Sequence, residues 1–257
     1  MAAKSHRALK ITGIVIGVIV GIALIAVVAL NIYMRAAFAP FFDRAESPFD
    51  IPGINTGFVP QDLDHVEADD SWLFSGYMAD HSPSPIYRRA TDGTITKFYV
   101  SLPDGSPYDG HGSAITTNEQ YAYLACEEGY LVIPMDDLLF AEDGASVQAT
   151  EKVDVDFSPA FMNIEQGQLL LGNFYYPNDY ETPENHHITT PDGTENPAVM
   201  YAFAADPAEP GRFLTVPDNV FSIPGMVQGT CITDDGRIVL SVSYGIAPSH
   251  LLVYNVN

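Results

Sequence analysis

Cysteine and basic side chains are both scarce in this chain. Two cysteines in 257 residues cannot frame a disulfide scaffold. Eleven Lys and Arg stand against 33 Asp and Glu, a formal charge of −22 that repels nucleic acid. Charged residues are only 17% of the chain while hydrophobic ones are 47%, too apolar a composition for a disordered protein. Beyond residue 34 no stretch carries a long helical period, and no phosphate-cradling loop, Cys-x-x-Cys or G-x-S-x-G frame occurs. A folded acidic protein with little helix outside its N-terminus remains.

The exception is that N-terminus. Ile11 to Leu30 reads ITGIVIGVIVGIALIAVVAL without a charge, and Asn31 is the one polar residue before Met34. Some twenty helical residues at about 1.5 Å each match the ~30 Å hydrocarbon layer, so residues 11–34 are expected to span a membrane. A cleaved signal peptide is the competing reading, but its apolar region usually runs ~7–15 residues. The nearest small-x-small site, Ala37-Phe38-Ala39, is also followed by Pro40. The spacing of Gly13, Gly17 and Gly21 fits either a helix-dimerisation face or an ordinary span.

Lys4, Arg7 and Lys10 precede the span, which predicts residues 1–10 in the cytoplasm and the remainder outside the cell membrane. With those basic residues and Arg35 set aside, residues 36–257 hold seven basic against 33 acidic side chains, a net of −26. Residues 35–56, rich in Pro, Ala and aromatics, read as a juxtamembrane stalk to a domain over 57–257.

That domain is expected to be all-β. Six Asp-Gly pairs, at 92, 104, 109, 143, 192 and 235, separate short runs rich in Tyr, Val, Ile, Leu and Phe. Stacked, the runs repeat: units start at Gln61, His111, Ser158 and Gln228, each followed by an apolar second strand ending in Ser75, Ala125, Gly172 or Ser241. Four short strands per ~40–50 residues predict β-propeller blades, about four of them. An extended loop over roughly Tyr176 to Pro197 lengthens the third. Only 29 residues follow Gln228, so either an N-terminal strand closes a small four-bladed ring or the chain is truncated.

This pattern of blade starts and aromatic third strands resembles the six-bladed propellers of the SMP-30/gluconolactonase and strictosidine-synthase-like kind. The loop from Tyr180 to Gly193 looks like a segment of bacterial propeller-like proteins with no assigned activity. The resemblance implies a central channel in which relatives with hydrolase activity hold calcium.

Innermost strands line such a channel, so Gln61, His111, Ser158 and Gln228 are the candidate ligand-binding residues, with Asp62 and Asp109 beside them. His111 is the candidate catalytic residue, with Asp109 positioned to orient it. Asp62, Asp64 and Asn173 are candidate calcium ligands, while Glu181, Glu184, His186 and His187 mix donors suited to zinc. Adjacent histidines on an extended loop diverge, and no continuous D-x-D-x-D-G loop is present. Cys126 and Cys231, in strands of different units, fit buried free thiols better than a disulfide. The chain thus reads as a membrane-anchored binding or interaction domain for an extracellular ligand or protein. The alternative is a calcium-dependent lactonase or esterase working in the channel.

Overall fold

A computed structural model describes residues 2–255, with side chains from residue 11 onward, and divides the chain into two compact units, 1–50 and 51–257. The first unit is helical. Helix α1 runs over Ala2–Ala37, three residues beyond the expected end of the span, and α2 is a single turn at Ala39–Phe42 with Pro40 in its first turn. Within α1, Ile11–Ala37 is long and apolar enough to cross a membrane. The Asn31 amide donates to the Val27 carbonyl at 2.9 Å, which keeps the polar side chain satisfied without water.

The second unit is a four-bladed β-propeller arrangement. Blade 1 begins with an antiparallel meander of β1 (Phe58–Val66), β2 (Ser71–Met78), β3 (Pro85–Arg89) and β4 (Ile95–Ser101). Then come β5 (Ile115–Thr117), β6 (Tyr121–Cys126), β7 (Gly129–Pro134) and a short helix α3 (Met135–Leu139). The next strand, β8 (Ser146–Gln148), returns to pair in parallel with β4, so blade 1 has five strands. β9 (Glu151–Asp154) completes blade 2 beside β7.

Blade 3 is built from β10 (Phe161–Glu165) and β11 (Gln168–Gly172). A small hairpin of β12 (Ile188–Thr189) and β13 (Glu195–Asn196) is followed by the two outer strands, β14 (Ala198–Ala204) and β15 (Asn219–Ile223). Blade 4 has three strands, β16 (Val227–Ile232), β17 (Arg237–Val242) and β18 (His250–Asn255). Among the described residues no other strand pairs with β18, and the N-terminal strand β1 belongs to blade 1.

The core explains why the second strands are apolar throughout. Leu131 and Ile133 of β7 face Leu73, Ile86 and Phe98 of blade 1, whereas Val132 and Tyr130 of the same strand face Leu169, Leu171 and Phe203 of blade 3. A blade packed on both sides has no solvent face, so alternation disappears. Ile238, Leu240 and Val242 of β17 cover Leu170, Met200 and Ala202 of blade 3. Leu251 and Val253 of β18 remain exposed, while Leu252 between them packs toward blade 3.

Side chains of the inner strands tie neighbouring blades together. Asp62 accepts the Ile115 N–H at 3.0 Å and Asp64 the Thr117 hydroxyl at 2.7 Å. Thr116 Oγ1 accepts the Ile164 N–H at 3.1 Å, and the Asn163 amide donates to the Thr230 carbonyl at 3.0 Å. Each bond spans a blade boundary, which hydrophobic packing alone leaves free to slide.

Five of the six Asp-Gly glycines take positive φ, from +80° to +87°, while Gly110 does not. Three pairs, at 92, 192 and 235, turn directly between paired strands. The carboxylates of Asp92, Asp104 and Asp192 accept the backbone N–H two residues on. The pairs at 104 and 143 serve longer connections, the second leading from α3 into β8.

Candidate functional site

The site grows from irregularities in the innermost strands. The β1–β2 register shifts between Pro60 and Asp62, and the β16–β17 register shifts between Val227 and Gly229. Gln61 and Gln228 are the residues left unpaired by these two bulges. A bulge re-aims its extra side chain out of the ladder, and both amides point into the same cleft. Each donates only a 3.3 Å bond, to Pro60 and Ser243 carbonyls respectively.

His111 and Ser158 arrive differently. Both were expected at strand starts, but β5 begins only at Ile115 and β10 only at Phe161. The reason is local. Gly112 takes φ +53° and packs so close to Gly76 that a Cβ would lie 3.0 Å from the Gly76 carbonyl. Pro159, without an N–H, keeps the ladder from starting at Ser158. The two residues therefore lie on loops that enter the cleft from blades 2 and 3.

Gln61, His111, Ser158 and Gln228, one from each blade, border a single cavity of about 590 Å³. Its rim continues through Glu127, Glu128 and Asp156, and the loop residues Tyr180, Glu181 and Thr182 lie over it. Phe157, Phe174 and Tyr244 supply aromatic walls. A volume of this size suits a small ligand.

The remaining candidates separate. Asp62 is turned into the boundary between blades 1 and 2, accepting from Leu63 at 2.9 Å and Ile115 at 3.0 Å. Burial pushes its carboxyl up to about 7 despite those two donors, and burial likewise raises Asp64. Asp109 borders a neighbouring cavity with His111 and Lys152. Among the described residues no hydrogen bond links it to His111, whose ring instead lies 4.2 Å from that of Tyr77.

Asn173 lines the cleft, yet its amide is committed: Oδ1 accepts the Val199 N–H at 2.9 Å and Nδ2 meets His186 Nδ1 at 2.9 Å. His186, only 1% exposed, has its Nε2 3.2 Å from Asp156. An imidazole whose Nδ1 accepts from an amide carries its proton on Nε2 and donates to the carboxylate. His187 turns the other way, toward Thr182 at 3.0 Å and Glu195 at 3.4 Å. Glu181 accepts the Asn178 N–H at 2.7 Å, and an exposed Glu184 opens a 3-10 turn ending at the buried His186. Among the described residues no three His, Cys, Asp or Glu side chains are grouped to hold a metal ion.

The hydroxyls and thiol at the cleft are engaged or inert. Ser113 donates to the Pro159 carbonyl at 2.6 Å, and Ser158 accepts the Glu128 N–H at 3.0 Å. Burial pushes the Cys126 thiol up to about 12, and both cysteines are free, but Cys231, expected to be buried, is exposed. Sequence reasoning missed the aromatic walls and the His186–Asn173–Asp156 linkage. The apolar partners of the aromatics lie in distant segments, whereas Pro60 and Gly229 beside the two glutamines were available hints of bulges.

No family model matches this sequence, and a search of the curated proteins found no match. Among solved structures, hydrazine synthase of Kuenenia stuttgartiensis is 9% identical with a TM-score of 0.45, the match covering 82% of this chain and 49% of that one. The chain thus spans about half the length of that protein. A gluconolactonase from Xanthomonas campestris is 13% identical with a TM-score of 0.36, covering 77% and 73%. Glutaminyl cyclase of Myxococcus xanthus is 11% identical with a TM-score of 0.30, covering 79% and 93%. At such scores none of them assigns an activity to this chain.

Proposed function

We propose that this chain is a single-pass membrane protein whose propeller stands outside the cell and binds a small ligand in its cleft without transforming it. The observation that carries the binding reading is the convergence of Gln61, His111, Ser158 and Gln228, one per blade, on one cavity. The two glutamines are held there by bulges that interrupt the strand ladders. Binding is favoured over hydrolysis because Ser113 and Ser158 are bonded to backbone and the His111 ring lies tilted against Tyr77 rather than oriented by a carboxylate. Orientation rests on the three basic residues ahead of the span and none of the 33 acidic ones.

Two measurements test this. Cys231 is exposed and Cys126 buried, so the chain carries its own topology probe. A membrane-impermeant maleimide should label the protein in spheroplasts without lysis, and labelling only after lysis would reverse the orientation. Full-length protein in maltoside micelles should hydrolyse neither p-nitrophenyl acetate nor gluconolactone, with or without millimolar calcium. Calcium-dependent turnover lost in Gln61→Ala and His111→Ala variants would replace binding by catalysis.

A further inference from the structure

We infer that the cleft selects an organic cation, a small molecule with a quaternary or protonated amine. This deepens the binding reading just given and depends on it. The sign of charge comes first. Glu127, Glu128, Asp156 and Glu181 border the cavity, while none of the seven basic residues beyond Arg35 does. Four of those seven are paired elsewhere: Arg88 with Asp69, Lys152 with Asp154, Arg212 with Glu151 and Arg237 with Asp235. Among the described residues no Lys or Arg lines the site and four carboxylates do, so an anion would be repelled at the mouth and a cation drawn in.

The walls supply the second, independent part. Phe174 and Tyr180 meet at 5.3 Å with ring planes 89° apart, and Tyr180 and Tyr244 at 6.0 Å and 80°. Tyr244 closes against Phe174 at 5.5 Å, 47° apart. Three rings thus form a corner at the cavity wall, and all three border the open volume. The Tyr244 hydroxyl donates to Asp179, which makes that ring richer in electrons. Faces of this kind attract a cation through the ring quadrupole, and they favour alkylammonium groups over hydrated metal ions because the methyls also bury apolar surface. A bare metal would want a shell of oxygens, and the described residues present no such group.

The corner is also held in place. The segment carrying Phe174 and Tyr180 is tied down by His186, buried between Asn173 and Asp156, so the rings need little ordering when a ligand enters. Gln61 and Gln228 across the cleft can then bond a hydroxyl or carbonyl attached to the cation.

Full-length protein in maltoside micelles is titrated calorimetrically with choline, and in parallel with its neutral isostere 3,3-dimethylbutan-1-ol. Choline should bind saturably at one site and at least tenfold more tightly than the isostere. Tyr244→Ala should weaken choline about 3- to 30-fold, the range spanned by a cation over an aromatic face. Glu181→Gln should weaken it and flatten its salt dependence, with the thermal midpoint unchanged. Equal binding of the two probes, or choline binding indifferent to both substitutions, overturns the inference, the latter by revealing diffuse attraction to an acidic surface. If maltose or another neutral probe binds with sensitivity to Gln61→Ala while choline does not, the cation reading falls and the binding site stands. Ester or lactone turnover would instead remove the binding reading beneath it.

Discussion

Replacing Asp62 by Asn separates its electrostatic role from its hydrogen bonds. In the native fold the carboxyl is pushed up to about 7 by burial, against an ordinary value of 3.8 in the unfolded chain. A carboxyl raised on folding stabilises fully below its unfolded pKa, and that contribution is lost as pH rises through the folded one. The window is therefore pH 4 to 7. Three pKa units correspond to a ceiling of about 4 kcal/mol. Asp62 is only half-buried, so water screens part of this and about 2 kcal/mol is the better expectation. Asn keeps one acceptor, which bonds Ile115, and gives up the bond to Leu63, a loss of about 1 kcal/mol.

The variant should thus be less stable than the wild type by about 1 kcal/mol at pH 4 and more stable by about 1 kcal/mol at pH 8. The two stability curves should cross near pH 5, since the loss runs at about 1.4 kcal/mol per pH unit from the unfolded pKa upward. Urea unfolding of the full chain in maltoside, followed by fluorescence of Trp72 on the adjacent strand, measures this directly. Asp64, which is also raised, titrates in both chains, and its repulsion of Asp62 is a minor part of the shift that Asn removes. Parallel curves from pH 4 to 8 would refute the reasoning, because they would mean Asp62 is ionised throughout in the folded state.

Gly76→Ala would place a Cβ 2.2 Å from the Val59 carbonyl oxygen, so the β1–β2 pair must part and stability should fall by more than about 2 kcal/mol in the same urea assay. Leu131→Ala removes a side chain with no exposure from the boundary of blades 1 and 2 and should cost about 2–5 kcal/mol by thermal unfolding. His186→Ala strands the Asn173 amide and frees the segment over the cleft. Limited proteolysis should then cut within 176–197 at least tenfold faster, with little change in the global midpoint, and unchanged cleavage would show the linkage is not what holds it.

The helix over 11–34 and the strand repeat were determined by sequence alone, because both follow from local chemistry. An uncharged apolar run long enough to span a bilayer admits one solution, and short apolar runs such as Leu169–Leu171 following a glycine turn admit few others. Of the four expected unit starts, Gln61 and Gln228 lie within strands, whereas His111 and Ser158 precede theirs. The parallel strand β8 and the helix α3 escaped notice because three and five residues are too short to show a period.

Tertiary structure decided the site. Four candidates separated by up to 167 residues, Gln61 to Gln228, border one cavity only because blades pack in order around it. Whether a glutamine joins the ladder or bulges from it depends on the register of a partner strand, which no single segment encodes. The same holds for Asp62, read as a possible ligand group yet committed to the Ile115 N–H of the next blade. Its burial, and the corner formed by Phe174, Tyr180 and Tyr244, arise from contacts between segments far apart in the chain, where local propensity is silent.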